Sequence, residues 1–200
     1  VGFRPFVHRL AVRHGLAGWV RNSSGDVEIE VEGAPAALDE FIEALQVAAP
    51  PLARVAHVRA DRCPPTGRDA FAILPSAPVQ DGRQPVPPDT ALCSACEAEL
   101  FDPANRRYRY PFITCTDCGP RFTVIEAMPY DRERTSMRAF TQCRACAHEY
   151  RTPGERRYHS ETNSCPACGP RVRYVAVPAP QYWDGEALDA AADLIRQGRV

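Results

Sequence analysis

The sequence predicts an α+β protein built of two parts: a ferredoxin-like βαββαβ sandwich that lacks its first strand, followed by a duplicated zinc-bound domain of two four-cysteine units. The first prediction depends on the order of elements over residues 1–74. They read helix, strand, strand, helix, strand, strand, which becomes a split βαβ pattern once one strand precedes them. The second depends on the cysteines, because eight of the nine stand in four Cys-x-x-Cys pairs.

Six segments of the first part carry a helical or a strand periodicity. In order along the chain they are a helix over 6–11, strands over 18–22 and 27–31, a helix over 38–45, and strands over 55–58 and 71–74. Gly15 after the first helix and Pro50-Pro51 after the second are typical of helix ends. The strand over 27–31 alternates apolar residues with glutamate, as expected of a half-buried strand.

Composition marks the domain boundaries. Residues 1–74 form the first domain, and residues 75–88, which contain five prolines, form a Pro-rich linker that can hold neither a helix nor a ladder. The tandem zinc-finger domain covers residues 89–175. Residues 176–200 are interpreted as a linker and one helix that has no partner left in the chain, the first helix of a further, truncated domain.

The cysteine pairs repeat their own spacing. Eighteen residues separate the first pair from the second and the third from the fourth, whereas twenty-four separate the second from the third. Two thiolates three positions apart on a tight turn can occupy two corners of a tetrahedron, and a second pair can occupy the other two. The spacing predicts two structural Zn²⁺ sites, one held by Cys93, Cys96, Cys115 and Cys118 and the other by Cys143, Cys146, Cys165 and Cys168.

The repeat extends beyond the cysteines. A shift of fifty residues superposes Cys93 on Cys143 and Arg106-Arg107-Tyr108 on Arg156-Arg157-Tyr158, which indicates an internal duplication. Each copy is too short to bury a core of its own, so metal binding is expected to supply folding free energy, about 10 kcal/mol or more per site. Four thiolates leave zinc no open position, so neither site is expected to be catalytic. The arginine pairs are expected to be solvated or locally paired.

Other interpretations of the cysteines stay open at this point. A disulfide framework of a secreted domain is one, although no signal-peptide pattern supports it. The main alternative function is a zinc-stabilised binding module without catalysis, either for nucleic acid or of the chaperone kind that also carries four Cys-x-x-Cys pairs. Nucleic acid is not an expected partner, because residues 93–173 hold thirteen Arg against ten Asp plus Glu, which is a small surplus.

Composition excludes several further functions. The formal net charge is -1, and no apolar run is long enough for a membrane span. All 24 basic residues are arginine, which excludes a Walker lysine and a Schiff-base lysine from this stretch. Any step that uses ATP is therefore expected outside it. Because the sequence opens without methionine and stops just after a helical pattern, it is interpreted as a fragment of a longer polypeptide.

The N-terminal residues resemble a known signature. Val1-Gly2-Phe3-Arg4, then a helix, then Gly18-Trp19-Val20-Arg21-Asn22 resemble the acylphosphatase pattern of a phosphate-binding loop that ends in arginine and an asparagine on the next strand. With the cysteine spacing and the motifs Asn105-Arg106-Arg107-Tyr108 and Pro129-Tyr130-Asp131-Arg132, the chain is similar to the N-terminal part of the HypF-type carbamoyltransferases, which mature NiFe hydrogenases.

The residues of this signature suit acyl phosphate chemistry. Arg4 offers a planar cation that stays charged at any working pH, and Gly2 lets the backbone approach a phosphate at the start of a helix. Asn22 can donate and accept hydrogen bonds, so it suits the orientation of a water molecule in line with phosphorus. Arg4 and Asn22 are therefore the predicted catalytic residues. Taken singly, each has a plainer alternative: a solvated arginine at a helix start and an asparagine that begins a turn.

The resemblance implies a relay. Carbamoyl phosphate is split in the acylphosphatase-like domain, the carbamate is adenylated with ATP in a later domain, and the carbamoyl group passes to the C-terminal cysteine of a HypE-type partner protein. The last helix of the chain then begins a YrdC-like domain, and ATP binds only to the full-length protein. A cytoplasmic protein without membrane association is implied. The isolated fragment is expected to be inactive, because the loop residues before Val1 are absent.

One segment departs from the family's pattern. It reads His159-Ser160-Glu161-Thr162-Asn163-Ser164 and falls between zinc ligands. The fold is expected to tolerate it.

Overall fold

The computed structural model describes residues 2–23, 26–50, 53–77, 89–175 and 181–199. The predicted Pro-rich linker falls mostly outside this set, in residues 78–88, as do residues 176–180, Val1 of the N-terminal signature and Pro51 after the second predicted helix.

The first part of the chain folds as two helices and a three-stranded sheet. The elements are α1 (Phe3–Arg13), β1 (Ala17–Ser23), β2 (Asp26–Glu32), α2 (Pro35–Val47) and β3 (Phe71–Ile73). The central strand β1 pairs antiparallel with β2, where Trp19 lies opposite Glu30, and parallel with β3, where Trp19 lies opposite Ala72. This is the α+β arrangement that the sequence predicts.

Local periodicity explains the core of this part. Residues three and four apart on α1 share one face, and alternate residues of β1 share another, so both sets can turn to the same interior. The buried core consists of Val7, Leu10, Ala11, Leu16, Val20, Phe41, Leu45 and Phe71. Burying each of the larger side chains contributes about 1.5–3 kcal/mol. The core fixes α1 across the sheet and so holds its N-terminus in place.

The strand predicted over 55–58 is wrong. Residues 53–68 carry no strand, and the third strand of the unit is β3 alone. Further along this segment the backbone N–H groups of Thr66 and Gly67 donate to a carboxylate oxygen of Glu32 at 2.8 and 3.0 Å, so these groups too are bound by a side chain and not by a strand. A strand needs a ladder partner, and the described sheet offers none to 55–58.

The cysteine-rich part repeats in space as it does in sequence. Its two helices, α3 (Ser94–Phe101) and α4 (Arg144–Arg151), have equal length and lie fifty positions apart. Arg109 and His159, also fifty apart, both have a positive φ, 55° and 51°. Between the helices run four short 3₁₀ turns at residues 116–118, 122–124, 132–134 and 136–139. The two copies of the repeat therefore share a helix of the same length and the same unusual backbone conformation at an equivalent position.

A hairpin and a helix complete the described chain. β4 (Arg173–Val175) pairs antiparallel with β5 (Gln181–Trp183), and α5 (Asp184–Arg196) follows. Asp189 of α5 accepts a hydrogen bond from Nη1 of Arg109 at 3.1 Å, which ties the helix to the first cysteine repeat. Of the helices that the structure describes, none combines the length and the apolar character that a bilayer span requires.

Candidate functional site

The eight paired cysteines gather into two clusters of four. Within each cluster all four sulfur atoms lie within 4.8 Å of one another. The clusters are Cys93, Cys96, Cys115 and Cys118, and Cys143, Cys146, Cys165 and Cys168. These are the sets that the sequence predicts, each confined to one copy of the repeat. The ninth cysteine, Cys63, is exposed and lies in neither cluster.

The sulfur separations fit a tetrahedral zinc site. A tetrahedron with Zn–S bonds of about 2.3 Å has edges of about 3.8 Å. The Sγ atoms of Cys115 and Cys118 are 3.8 Å apart, and those of Cys143 and Cys165 are likewise 3.8 Å apart. Such distances are far longer than a disulfide bond of about 2.05 Å. The donor set is thus four thiols preorganised for one soft divalent ion in each cluster.

Arginines of the first repeat reach the second cluster. Nη1 of Arg106 donates to Sγ of Cys146 at 3.3 Å, and Nη2 of Arg107 donates to the same sulfur at 3.5 Å. Both guanidinium groups also bind the carboxylate of Glu149, in each case with a contact of 2.6 Å. Nε of Arg107 donates to the carbonyl oxygen of Ser164 at 2.8 Å, so every edge of this side chain is bound.

The second repeat returns the same contacts to the first cluster. Nη1 of Arg156 donates to Sγ of Cys96 at 2.9 Å, and Nη2 of Arg157 lies 3.8 Å from that sulfur. Both arginines bind the carboxylate of Glu99. Nε of Arg157 donates to the carbonyl oxygen of Thr114 at 2.9 Å. Each contact has its counterpart fifty residues away, so the two copies are related by a pseudo-twofold exchange.

This exchange corrects the expectation that the arginine pairs are solvated or locally paired, although Arg106 itself remains exposed. Arg107 is 2% exposed and Arg157 is 5% exposed, and each binds the copy to which it does not belong. A divalent ion with four thiolates carries a net charge of about -2, which buried guanidinium groups can compensate. Burial opposes ionisation of Glu149, yet hydrogen bonds from Arg107 and Arg106 outweigh it and lower its pKa to about 2.

The two predicted catalytic residues meet at a serine. Arg4 stands in the first turn of α1, and Asn22 stands near the end of β1. Nη1 of Arg4 lies 3.4 Å from Oγ of Ser76, and Nδ2 of Asn22 lies 3.5 Å from the same oxygen. Ser76 lies there because the chain continues alongside β1 after β3 has ended. The N–H of Ala77 donates to the carbonyl oxygen of Asn22 at 2.8 Å.

Gly2 closes this site from the loop side. It precedes α1 with a φ of 71°, and a Cβ there would lie 3.0 Å from the carbonyl oxygen of Thr116. Both the left-handed backbone and the close approach favour glycine. The first N–H groups of a helix have no intrahelical partner, so the positive end of α1 and the Arg4 guanidinium together form an anion-binding arrangement.

The cysteine-rich part also contributes two carboxylates to Arg4. Nη2 of Arg4 binds Oδ1 of Asp131 at 2.9 Å and Oε1 of Glu161 at 3.4 Å. Burial raises the pKa of Glu161 to about 7, even though Arg4 and the Tyr150 hydroxyl lower it. Of these groups, sequence reasoning found only Arg4. The available signal was weak: Asp131 lies in a motif of the family pattern, and Glu161 lies in the segment that departs from it.

The histidines take no part in the clusters. His8 is buried against the rings of Phe71 and Tyr158 at centroid distances of 5.8 and 5.2 Å. Burial lowers the pKa of His8, and burial together with the charge of Arg4 lowers that of His159 to about 4. The His8 ring therefore packs between the two parts of the chain, whereas the His159 ring packs against Tyr150 and Tyr158 within the cysteine-rich part.

Two family models match this chain. The acylphosphatase model matches residues 1–73, and the HypF finger model matches residues 92–125 and 143–175. Among curated proteins, carbamoyltransferase HypF2 of Cupriavidus necator is 56% identical over 144 residues, which are 71% of this chain and 18% of that protein. An acylphosphatase of Synechococcus sp. is 46% identical over 74 residues, 36% of this chain and 88% of that enzyme.

Solved structures agree with these matches. A crystal structure of full-length HypF in the phosphate- and nucleotide-bound form is 38% identical and superposes with a TM-score of 0.86 over 99% of this chain and 26% of that one. The crystal structure of T. kodakarensis HypF is 48% identical and superposes with a TM-score of 0.82 over 99% of this chain and 25% of that one. The chain thus spans about a quarter or less of the length of these HypF relatives.

Proposed function

The chain belongs to the HypF-type carbamoyltransferases, of which it matches an acylphosphatase domain and the HypF fingers, and from this we propose that its first part cleaves the phosphoryl group of carbamoyl phosphate. The single observation that carries the proposal is the convergence of Arg4 and Asn22 on Ser76 Oγ beside the N-terminus of α1. A guanidinium group and a side-chain amide thus face one position near the first turn of α1.

In the proposed reaction, Arg4 and the helix N-terminus hold the phosphoryl oxygens, and Asn22 orients a water molecule in line with the acyl leaving group. The water oxygen forms a bond to phosphorus, the bond from phosphorus to the acyl oxygen breaks, and its electron pair leaves with carbamate, while one water proton stays on inorganic phosphate and the other passes to solvent. Since carbamate is a good leaving group, positioning and charge stabilisation carry most of the rate enhancement.

We propose that the two cysteine clusters bind one Zn²⁺ each and are structural. The sulfur separations and the four-thiol donor sets support this assignment. Zinc with four thiolates has no open position for water, so its chemistry here is to fix the fold and with it the arginines and carboxylates that surround the clusters. Free thiols are kept reduced in the cytoplasm, which is the proposed location.

For the full-length protein we propose the remaining steps of the relay. Carbamate is adenylated with ATP in a YrdC-like domain that begins with α5, and the carbamoyl group is transferred to the C-terminal cysteine of a HypE-type partner protein. The boundaries of the proposed domains are 1–74, 75–88, 89–175 and 176–200. A binding module without catalysis is the less favoured function, because the acylphosphatase match covers the whole first part of the chain.

The test is hydrolysis of carbamoyl phosphate by the full-length protein, measured as the release of inorganic phosphate. Arg4→Ala is expected to abolish it and Asn22→Ala to reduce it about a hundredfold or more, with the zinc content unchanged. Arg13→Ala is the matched control, since it removes an exposed arginine from the last turn of the same helix. Near-normal turnover of Arg4→Ala would rule out the acylphosphatase chemistry.

A further inference from the structure

The Arg4 guanidinium is bound along two different edges by two different parts of the chain. Nη1 faces Ser76, on the side of Asn22, within the first part. Nη2 faces Asp131 and Glu161 of the cysteine-rich part. The Arg4 side chain is only 11% exposed, so these contacts define its orientation. An arginine at the start of a helix otherwise has several free rotations.

Glu161, one of the two carboxylates of the cysteine-rich part that contact Arg4, is itself held by hydrogen bonds. Oε2 of Glu161 accepts hydrogen bonds from the Tyr150 hydroxyl and from the backbone N–H of Arg132, each at 2.9 Å. Its side chain is 4% exposed. Asp131 directly precedes Arg132, so both acids belong to one bonded network. Such a network can transmit a fixed position to the Nη2 edge of Arg4.

Two opposing roles are physically possible for carboxylates that touch a phosphate-binding arginine. They can compete with the phosphoryl group for the cation, or they can hold one edge of the guanidinium so that the other edge faces the phosphoryl group. The geometry favours holding, because both acids share Nη2, whereas Nη1 is directed toward Ser76 and Asn22. A planar fork can serve two partners on different edges at once.

We propose that Asp131 and Glu161 are positioning residues for Arg4, so that the cysteine-rich part completes the acyl phosphate site of the first part. The inference rests on the proposed role of Arg4 in binding the phosphoryl group. It assigns the fingers a contribution to the first reaction that does not pass through the metal. Inorganic phosphate, a product of that reaction, is a probe for the same site.

The experiment compares Asp131→Ala, Asp131→Asn and Tyr150→Phe in the full-length protein, with Asp189→Ala as a control that breaks a different Arg–Asp pair. The measurements are kcat and KM for carbamoyl phosphate, inhibition by inorganic phosphate, and zinc content. Asp131→Ala is expected to lower kcat about tenfold or more and to weaken phosphate inhibition by a similar factor. Asp131→Asn restores most of both, because its amide oxygen accepts the same hydrogen bond from Nη2.

The proposal is overturned if inorganic phosphate inhibits the Asp131→Ala variant as strongly as it inhibits the parent protein. It is also overturned if inhibition becomes stronger, because that is the result expected when the carboxylate competes with phosphate for Arg4. If Asp131→Ala loses zinc or fails to fold, Tyr150→Phe decides. It removes a hydroxyl that holds Glu161 without touching Arg4, and an unchanged kcat and unchanged phosphate inhibition then overturn the proposal. Loss of activity in Arg4→Ala with normal Asp131→Ala contradicts only the positioning role, whereas an active Arg4→Ala contradicts the proposed function itself.

Discussion

Arg156 donates a hydrogen bond from Nη1 to Sγ of Cys96 over 2.9 Å, although the two residues belong to different copies of the duplicated unit. The mirrored contact, from Arg106 to Cys146, measures 3.3 Å. Each copy therefore holds its own set of thiols but receives its compensating positive charge from the other. Neither copy is electrostatically complete alone, which gives a physical reason for their occurrence as a pair.

The crossed contacts predict crossed effects on metal binding. Arg156→Ala is expected to weaken metal binding at the Cys93 cluster, and Arg106→Ala at the Cys143 cluster, each by about 10- to 100-fold, because a partner that donates to a ligating thiolate is lost. Cadmium-113 NMR of the substituted protein resolves one signal per site, and a serine variant of one ligand in each cluster assigns them. A perturbation confined to the mutated residue's own copy contradicts this prediction.

Metal content gives a second prediction. The intact chain is expected to bind two zinc ions per molecule, and Cys118→Ser is expected to reduce this number and to lower the melting temperature, because metal binding is folding free energy for units too small to bury a core. Atomic absorption and thermal unfolding measure the two effects. Cys63→Ser, at an exposed cysteine outside both clusters, is the control and is expected to change neither.

Arg4→Lys is expected to behave like Arg4→Ala rather than like the parent protein. A lysine keeps the charge, but its ammonium is a single point and cannot bind Asp131 and Ser76 along two separate edges. Turnover of carbamoyl phosphate in the full-length protein is predicted to fall at least about a hundredfold, toward the level of Arg4→Ala. A lysine variant with more than about a third of the parent kcat would mean that charge alone is sufficient at this position.

Gly2→Ala tests the contact between Gly2, just before α1, and Thr116 of the cysteine-rich part. The substitution places a Cβ 3.0 Å from the Thr116 carbonyl oxygen at a residue whose φ is 71°, so both strain and crowding oppose it. We expect a loss of about 1–3 kcal/mol in the free energy of unfolding and a rise in KM for carbamoyl phosphate. Gly154→Ala is the matched control, because it has a positive φ of 93° but no atom within 4 Å of the added Cβ.

The raised pKa of Glu161 predicts that the parent protein and the Glu161→Gln variant differ in how their free energies of unfolding depend on pH. Burial raises the pKa of Glu161 from 4.5 to about 7 in the folded state. The neutral form is therefore favoured by folding, and the corresponding stability is present below pH 4.5 and lost as pH rises through 7. Glu161→Gln removes the titration, so its free energy of unfolding relative to the parent protein is expected to increase between about pH 4.5 and pH 7, by roughly 1–3 kcal/mol.

Equilibrium unfolding in denaturant at several pH values measures this difference. Both proteins carry the same thiol ligands, so the pH dependence of zinc binding cancels in the comparison. A difference that stays constant, or that falls as pH rises, contradicts the assigned direction of the Glu161 pKa.

The sequence by itself determined the parts that depend on local pattern. Ligand spacing within one copy identifies which cysteines can share an ion, since the four residues lie within a short stretch such as 93–118, and the structure gathers the same sets. Helical and strand periodicity located α1, α2, β1 and β2, because the core faces of these elements are decided by neighbours three, four or two positions away. The α+β fold class and the family resemblance were confirmed.

Only the tertiary structure decided the contacts between distant residues. Arg4 and Asp131 are 127 positions apart, Arg157 and Thr114 are 43 apart, and Ser76 joins Arg4 to Asn22 from beyond β3. No periodicity encodes such pairs, because each depends on how two packed units come together. The same reason explains the error over 55–58: a strand-like pattern becomes a strand only where the fold supplies a hydrogen-bonding partner.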